Sequence, residues 1–298
     1  MHTIWALKKE NEMIKNRELL EQTYFNVSTE PIYATSESGL VVQIPGIENY
    51  KAVVKSDNRQ VLGITTQKYG LLKNSDAFEM IFRAIDDLGI DGVVTDMSVT
   101  KNQARVRATI QFPEILCDPG DGHNLAYRCI VQNGYDGKFN FGFMQGCYRL
   151  VCTNGMIIGT TVEEFVSRHT INIEETFQQV IERFKTILPQ ASSIIANNTY
   201  KLIHTTNTHR TDQVADVVTI LSNLPVKYRK EFDEKIDSPR APYWDIYNAF
   251  TDVISHDDRK RSGFRRDQLL GNLHSSFEKV MKMNEDQFQE IRNQALAA

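Results

Sequence analysis

The chain has 298 residues, of which 41% are hydrophobic and 24% charged, a composition typical of globular proteins that excludes an intrinsically disordered chain. Its formal net charge of −4 provides no general attraction to nucleic acid or anionic lipid, so binding to either would require a local patch of cations. No apolar run approaches the roughly 20 residues that span a bilayer, and Lys8, Lys9 and Glu10 stand where a signal peptide needs apolar residues. These features predict a cytoplasmic protein with no membrane partner.

The spacing of the cysteines argues against a zinc site. No Cys-x-x-Cys pair occurs, and the cysteines fall on separate predicted strands and turns. Because a reduced cysteine packs like a small hydrophobic residue, we expect four reduced thiols and neither a metal nor a cofactor. The four are Cys117, Cys129, Cys147 and Cys152.

Residues 1–38 are expected to form an N-terminal arm that is partly helical. Apolar Ile4, Leu7, Met13 and Ile14 lie among charged residues with an imperfect helical spacing. Such an arm would pack either on the body of the protein or on a neighbouring copy.

Residues 39–158 are predicted to form a β-rich core domain. From Gly39 the sequence changes to short runs of β-forming residues, bounded by turn residues such as Pro45-Gly46 and Asp57-Asn58. The predicted strands are Leu40–Ile44, Tyr50–Val54, Val61–Thr65, Val93–Val99, Ala104–Phe112, Ala126–Gln132 and Phe139–Thr153.

One helix interrupts these strands. Ser75 or Asp76 can cap it, apolar residues from Phe78 to Leu88 follow a spacing of three and four, and Gly89 ends it. We therefore expect a helix over residues 76–88 that packs on the sheet.

The two strands after this helix are predicted to form a hairpin. Lys101-Asn102-Gln103 joins them, and the alternation of the second strand places Arg105 and Arg107 on one face.

Residues 159–298 are predicted to form a helical region. Asn172 with Glu175 three residues later resembles a capping box, and the apolar periodicity that follows ends at Pro189. Further helices are predicted near 191–204, 211–222, 226–236, 242–255 and 264–283. The fold class is therefore α+β, with a mainly antiparallel β-sheet and one packed helix in the N-terminal half and helices in the C-terminal half.

Several short motifs carry a family resemblance. They are Leu62–Tyr69 followed by Asn74 and Ala77-Phe78, then Asn133–Gly137 with Arg149–Asn154, then Arg168–Thr170, and more loosely Trp244, Tyr247–Ala249 and Arg265-Arg266. On these motifs the chain resembles, from about Gly39 to Gly271, a phage- and plasmid-borne family of a domain of unknown function, number nine hundred and thirty-two. The resemblance implies a mobile-element context and leaves the activity open.

The chain departs from the family pattern at two places. Gly134-Tyr135 stands where the family prefers Ser-His, and Lys73 stands where it prefers Gln. If the histidine were catalytic in relatives, this chain would lack that group.

Basic and aromatic residues flank the segment Asn133–Gly137. The segment is most simply a hairpin turn, in which Asp136-Gly137 suits a positive φ. The hairpin would bring Arg128, Lys138 and Arg149 beside aromatic side chains such as Tyr148, and cations beside aromatic faces bind the phosphates and bases of single strands.

Two other interpretations remain open for these residues. Phe139, Phe141 and Phe143 alternate with a period of two, as expected for a sheet face buried in the core. Arg149, in an otherwise apolar run, could instead be a structural residue paired inside the fold.

A second basic segment lies at Arg259–Arg261 and Arg265-Arg266, flanked by aspartates. It is either a solvated loop or a loop that contacts phosphates, in which Ser262-Gly263 would allow close approach. Together the candidate nucleic-acid-binding residues are Arg128, Lys138, Arg149, Arg168, Tyr148, Arg261, Arg265 and Arg266, and the turn or motif residues are Asn133, Asp136, Gly137 and Asn154.

No catalytic residue stands out. The sequence lacks the P-loop, dinucleotide, zincin and nucleophile-elbow signatures. His204 and His209 share a polar stretch, but no carboxylate stands at metal-ligand spacing. We expect a protein that is not an enzyme, although an unrecognised hydrolase or nuclease stays open.

Two functions follow from these features. The first is a single-stranded DNA-binding or strand-annealing protein of a phage or mobile element, acting in DNA recombination as a homo-oligomer. Phage annealing proteins with a β-β-β-α core are similar at the level of fold alone. The alternative is a protein-binding module that acts on a host defence or replication factor, which the acidic surface would suit.

Overall fold

The computed structural model describes residues 16, 18–42, 45–120, 122–149, 155–156, 164–257 and 263–297. These residues form antiparallel sheets and helices, and the helices are concentrated in the C-terminal half. The predicted α+β class is therefore confirmed.

The chain divides into two compact units. The first comprises residues 1–112, 130–143 and 165–189, and the second comprises residues 113–129, 144–164 and 190–298. The units are interleaved along the sequence, because long strands have residues in both units.

A small sheet in the first unit has the strand order β1-β4-β5. Its strands are β1 (Val27–Pro31), β4 (Tyr50–Lys55) and β5 (Val61–Thr66), and a separate two-stranded hairpin consists of β2 (Ala34–Thr35) and β3 (Val41–Val42). β1 pairs with β4 in antiparallel register, so residues 27–31 belong to a sheet rather than to the expected arm. Polar residues and Pro31 fill most of β1, and for this reason its sequence carries little strand signal.

The larger sheet has six strands in the order β10-β9-β8-β7-β6, and β11 pairs with β9. The strands are β6 (Val93–Val99), β7 (Arg105–Cys117), β8 (Leu125–Gly134), β9 (Phe141–Arg149), β10 (Gly155–Met156) and β11 (Glu164–Ser167). The predicted hairpin is confirmed, because β6 pairs antiparallel with β7 and the turn residue Gln103 has a φ of 59°.

Two helices of the first unit pack against each other: α1 (Asn74–Asp87) and α2 (Ile173–Ile187). α1 ends at Asp87, shortly before the predicted stop residue Gly89, whose φ is 63°. The predicted cap is wrong, since Lys73 is the N-cap residue and makes no side-chain cap bond. The helix begins earlier because Asn74 is anchored by bonds to other segments, as described below.

Aromatic side chains form the centre of the first unit. Phe141 meets Phe177 edge-on with ring centroids 5.0 Å apart, and Phe143 meets Phe184 at 4.9 Å. The alternating phenylalanines of β9 therefore face the core, as one of the two interpretations expected.

The second unit holds the remaining described helices. They are α3 (Ala191–His204), α4 (Thr211–Leu221), α5 (Val226–Asp233), α6 (Tyr243–Ser255), α7 (Gly263–Val280) and α8 (Glu285–Ala297). Stacked Phe232 and Phe250 join α5 to α6, and Tyr247 meets Phe277 edge-on between α6 and α7.

Across the described part of the chain, no helix combines the length and the apolar character that crossing a membrane requires. Cys117, Cys129 and Cys147 are buried and are not in disulfides, and Cys152 lies outside the described residues.

Candidate nucleic-acid interface

Three segments that are distant in sequence meet in the first unit. They are Tyr69-Gly70, Asn133–Gly137 and Arg168–Thr170, and we call them the signature cluster because each contains residues of one of the motifs described above. The bonds described in the following paragraphs join them.

The turn after β8 is organised by Asp136. Its Oδ1 accepts the backbone N–H groups of Lys138 and Phe139, both at 3.0 Å, while its Oδ2 accepts Nε of Arg105 at 2.6 Å. Gly137 has a φ of 69°, as predicted for this turn. The guanidinium of Arg105 also lies 5.1 Å from the centre of the Phe139 ring. The carboxylate of Asp136 therefore holds the loop that carries Lys138 through one oxygen and binds Arg105 through the other.

Asn133 belongs to strand β8 and not to the turn. The sequence analysis placed the start of the turn two residues too early. Asn133 is fully buried, and its Nδ2 donates to the Leu72 carbonyl at 2.8 Å and to Oδ1 of Asn74 at 2.9 Å. Nδ2 of Asn74 in turn donates to the Thr23 carbonyl at 3.2 Å. A buried amide needs such partners, so Asn133 joins β8 to the start of α1.

Two buried tyrosines connect the same segments through their hydroxyl groups. Tyr69 Oη donates to the Gly134 carbonyl at 2.9 Å, and Tyr135 Oη accepts the backbone N–H of Asn74 at 2.7 Å. Burial raises the pKa of both tyrosines. Both hydroxyls therefore stay protonated and act as hydrogen-bonding groups of the fold.

His169 joins the segment Arg168–Thr170 to Tyr69 and Gly70. Its ring stacks on Tyr69 with centroids 4.9 Å apart, its Nδ1 lies 3.3 Å from the Gly70 carbonyl, and its own carbonyl accepts the N–H of Gly70 at 3.2 Å. Burial lowers the pKa of His169 to about 4. The imidazole is consequently neutral at physiological pH.

Two glycines allow the backbones to approach so closely. A Cβ on Gly63 would overlap the Cα of Asp136, and a Cβ on Gly70 would overlap the carbonyl oxygen of Thr170. A Cβ on Gly134 would lie 2.8 Å from that of Phe139. This last contact accounts for the glycine at position 134 of this chain.

Cations stand at the rim of the cluster. Lys68 and Lys138 are exposed, and each is a neighbour or near neighbour of a buried cluster residue. Arg168 is also exposed and directly precedes His169. Tyr50, which is 47% exposed, lies opposite Thr66 on the adjacent strand, and Nε2 of Gln67 donates to its carbonyl at 3.1 Å. We call Lys68, Lys138 and Arg168 the rim of the cluster, and Tyr50 is an exposed aromatic residue on the strand next to β5.

Three of the other predicted binding residues, Arg128, Arg265 and Arg266, belong to the second unit. Arg128 is half-buried, and its charge acts on Tyr247, while Nη1 of Arg265 donates to Gln268 at 2.7 Å. Arg261 and Asn154 lie outside the described residues, as do the side chains of Tyr148 and Arg149.

Of the predicted set, Lys138 and Arg168 therefore belong to joined segments. The sequence analysis did not include Lys68, Tyr50, Tyr69 or His169 among its site residues. Lys68, Tyr69 and His169 lie inside the motifs quoted above, and this position was the signal in the sequence that could have identified them. Tyr50 carried none beyond its place in a predicted strand.

The comparisons with known proteins give one match. A family model described as "Domain of unknown function (DUF932)" matches residues 61–277, which include the whole signature cluster. Neither the curated proteins nor the solved structures include one that matches.

Proposed function

We propose that this chain, which belongs to the DUF932 family, binds single-stranded DNA without turning it over, as a binding or strand-annealing protein of a mobile element. The observation that carries the proposal is that the exposed residues Lys68, Lys138 and Arg168 belong to three loops that buried bonds hold together in the signature cluster. A patch of this kind supplies local attraction to phosphate although the chain as a whole is acidic.

Single strands suit this rim better than a duplex. Recognition of double-stranded DNA typically places a helix or a β-ribbon in the major groove, whereas the cations here project from turns and a loop. An exposed ring such as Tyr50 offers a face on which an unpaired base can stack. A base inside a duplex is already stacked and presents no free face.

The buried bonds pre-organise the rim. Asp136 is neutralised by Arg105 at 2.6 Å and fixes the Lys138 loop through two backbone N–H groups. Binding to a pre-organised surface costs less ordering entropy than binding to mobile loops. The signature motifs thus build the scaffold, and the neighbouring surface residues make the contacts.

The test is a fluorescence anisotropy titration of labelled single-stranded and double-stranded oligonucleotides at several salt concentrations. Each phosphate neutralised contributes roughly −0.7 to the log–log salt slope for single strands. The double variant Lys68→Ala with Lys138→Ala should therefore bind more weakly and flatten the slope by about 1.4. Annealing of two complementary labelled strands, followed by energy transfer, separates simple binding from strand annealing.

Lys101→Ala is the matched control, because Lys101 is an exposed lysine in a turn of the same unit that lies outside the signature cluster. It should bind like the parent. Equal binding by the parent and the double variant would remove the basis of the proposal.

A second function is favoured by one specific observation. The β2–β3 hairpin exposes Tyr33, Leu40 and Val41 to 68%, 68% and 67%. Large apolar side chains grouped on a short hairpin are typical of a protein-binding surface. The variant Tyr33→Ser with Leu40→Ser should then abolish capture of a host protein and leave oligonucleotide binding unchanged. The variant Lys68→Ala with Lys138→Ala should weaken oligonucleotide binding and leave capture of the host protein unchanged.

A further inference from the structure

A groove in the first unit lies beside the exposed face of α1. It has a volume of about 580 Å³ and is lined by Leu20, Glu21, Tyr24, Glu79, Phe82, Arg83 and Asp86. The residues from α1 follow a spacing of three and four, which places them on one side of the helix. The opposite side of α1, including Phe78 and Ile81, is buried in the core.

The wall that faces α1 is held in place. Thr23 is buried, and its Oγ1 donates to the Leu20 carbonyl at 2.7 Å. Its own carbonyl accepts Nδ2 of Asn74, the first residue of α1, at 3.2 Å. The groove is therefore a formed feature with two fixed walls, and its volume accommodates several side chains.

The lining combines apolar and acidic character. It includes three carboxylates, on Glu21, Glu79 and Asp86, one guanidinium, on Arg83, and the aromatic rings of Tyr24 and Phe82. Acidic grooves that are also lined by aromatic rings fit segments that carry lysine beside large apolar residues, since the charges complement each other and the rings bury the apolar side chains.

The N-terminal segment of the chain has this chemistry. Residues 1–15 contain three lysines and two glutamates, which gives a net charge of +1. The adjacent Lys8 and Lys9 follow Ile4, Trp5 and Leu7. The segment ends directly before the residues that line the groove, so each copy of the chain carries both a groove and a segment that complements it.

We propose that the groove binds the N-terminal segment of a second copy of this chain. A twofold axis relating two copies would form the contact twice, because each segment would reach the groove of its partner. The proposal concerns a surface separate from the rim of the signature cluster and does not depend on DNA binding.

The test uses two full-length variants with reversed charges and measures mass by light scattering after size-exclusion chromatography. The groove variant is Glu79→Lys with Asp86→Lys, and the segment variant is Lys8→Glu with Lys9→Glu. Like charges across an interface oppose association, so each variant alone should dimerise at least about tenfold more weakly than the parent. An equimolar mixture of the two should restore dimers, since the altered segment then meets the altered groove.

The controls make the result specific to this groove. Glu234→Lys with Asp237→Lys reverses two exposed carboxylates of the second unit and should leave dimerisation unchanged. Circular dichroism and thermal unfolding of every variant establish that it is folded. A synthetic peptide of residues 1–15 should compete with the contact and shift the parent towards monomer.

Three outcomes would overturn the proposal. The parent could be monomeric at high concentration, the mixture of variants could stay monomeric, or the control reversal could weaken association as much as the groove variant does. One result would instead assign the groove to the N-terminal segment of its own chain. In that case the parent is monomeric, and the added peptide binds the groove only in the variant Lys8→Glu with Lys9→Glu. DNA binding by a monomeric parent would leave the proposed function intact while this inference failed.

Discussion

Tyr69 and His169 stack with ring centroids 4.9 Å apart and ring planes 21° from parallel. The pair joins the turn after β5 to the loop before α2, and the tyrosine hydroxyl extends the link to the Gly134 carbonyl. Each residue belongs to a different one of the motifs quoted in the sequence analysis. The motifs are thus parts of one buried polar scaffold, which explains why they contain buried as well as exposed residues.

The variant Tyr69→Phe should lower the free energy of unfolding by about 1–3 kcal/mol, because it leaves the buried Gly134 carbonyl without its donor while the ring stack is kept. Urea denaturation followed by circular dichroism measures this change. Tyr50→Phe is the control, since Tyr50 is 47% exposed, and its effect should stay within about 0.5 kcal/mol. Equal stability of both variants would show that the Tyr69 hydroxyl does not support the scaffold.

Acid should destabilise the fold through two buried histidines. Burial lowers the pKa of His169 and of His274 from 6.5 to about 4. Between these values the unfolded chain binds more protons than the folded one, so stability is present above pH 6.5 and is lost as the pH falls towards 4. Each histidine should contribute about 2 kcal/mol to the loss between pH 7.5 and pH 5.

His169→Phe checks this assignment, since phenylalanine keeps a ring beside Tyr69 and cannot titrate. The measurement is the difference in unfolding free energy between pH 7.5 and pH 5, which should shrink for this variant whatever its stability at pH 7.5. His204→Gln changes an exposed histidine and should leave the difference as in the parent. An unchanged difference in His169→Phe would contradict the prediction.

Gly70→Ala should prevent stable folding of the signature cluster, because the new Cβ would overlap the Thr170 carbonyl oxygen and only a backbone shift could relieve it. Gly39→Ala is the comparison, since no atom lies within 4 Å of a Cβ there and only the cost of its positive φ applies. That cost is about 1–2 kcal/mol. The midpoint of thermal unfolding of Gly70→Ala should be well below that of Gly39→Ala. The reverse order would refute the close approach of Gly70 to Thr170.

Local patterns predicted the elements that local interactions determine. The hairpin of β6 and β7 followed from alternation and a polar turn, and helices α1 and α2 followed from apolar spacing, so each was found within a few residues. The α+β class followed from the order of these elements. In each case residues that are close in sequence decide the outcome.

Contacts between distant segments could not be predicted in this way. Nothing in the sequence near Tyr69 specifies that His169 will stack on it, and Asn133 looked like a turn residue because its bonds to Leu72 and Asn74 depend on the folded chain. The same limit applies to the binding residues. Whether Arg128 lies beside Lys138, as the sequence analysis expected, depends on the folded chain.

Asp136 offers a test that connects the scaffold to the proposed function. Asp136→Asn keeps an Oδ1 acceptor for the N–H groups of Lys138 and Phe139 but loses the charge that pairs with Arg105, whereas Asp136→Ala loses both. The ion pair is partly exposed, so Asn should cost about 1 kcal/mol of unfolding free energy, and Ala about 1–2 kcal/mol more.

Binding to a single-stranded oligonucleotide should separate the two Asp136 variants in another way. Asp136→Asn keeps the Lys138 loop in place and removes a negative charge from its base, so it should bind at least as tightly as the parent. Asp136→Ala releases the loop, and its binding should weaken because the cation must then be ordered during association. Anisotropy titrations at a temperature where both variants are fully folded measure the two affinities. If both variants weaken binding equally, the charge of Asp136 rather than the order of the loop governs the rim, and the role assigned to the scaffold is wrong.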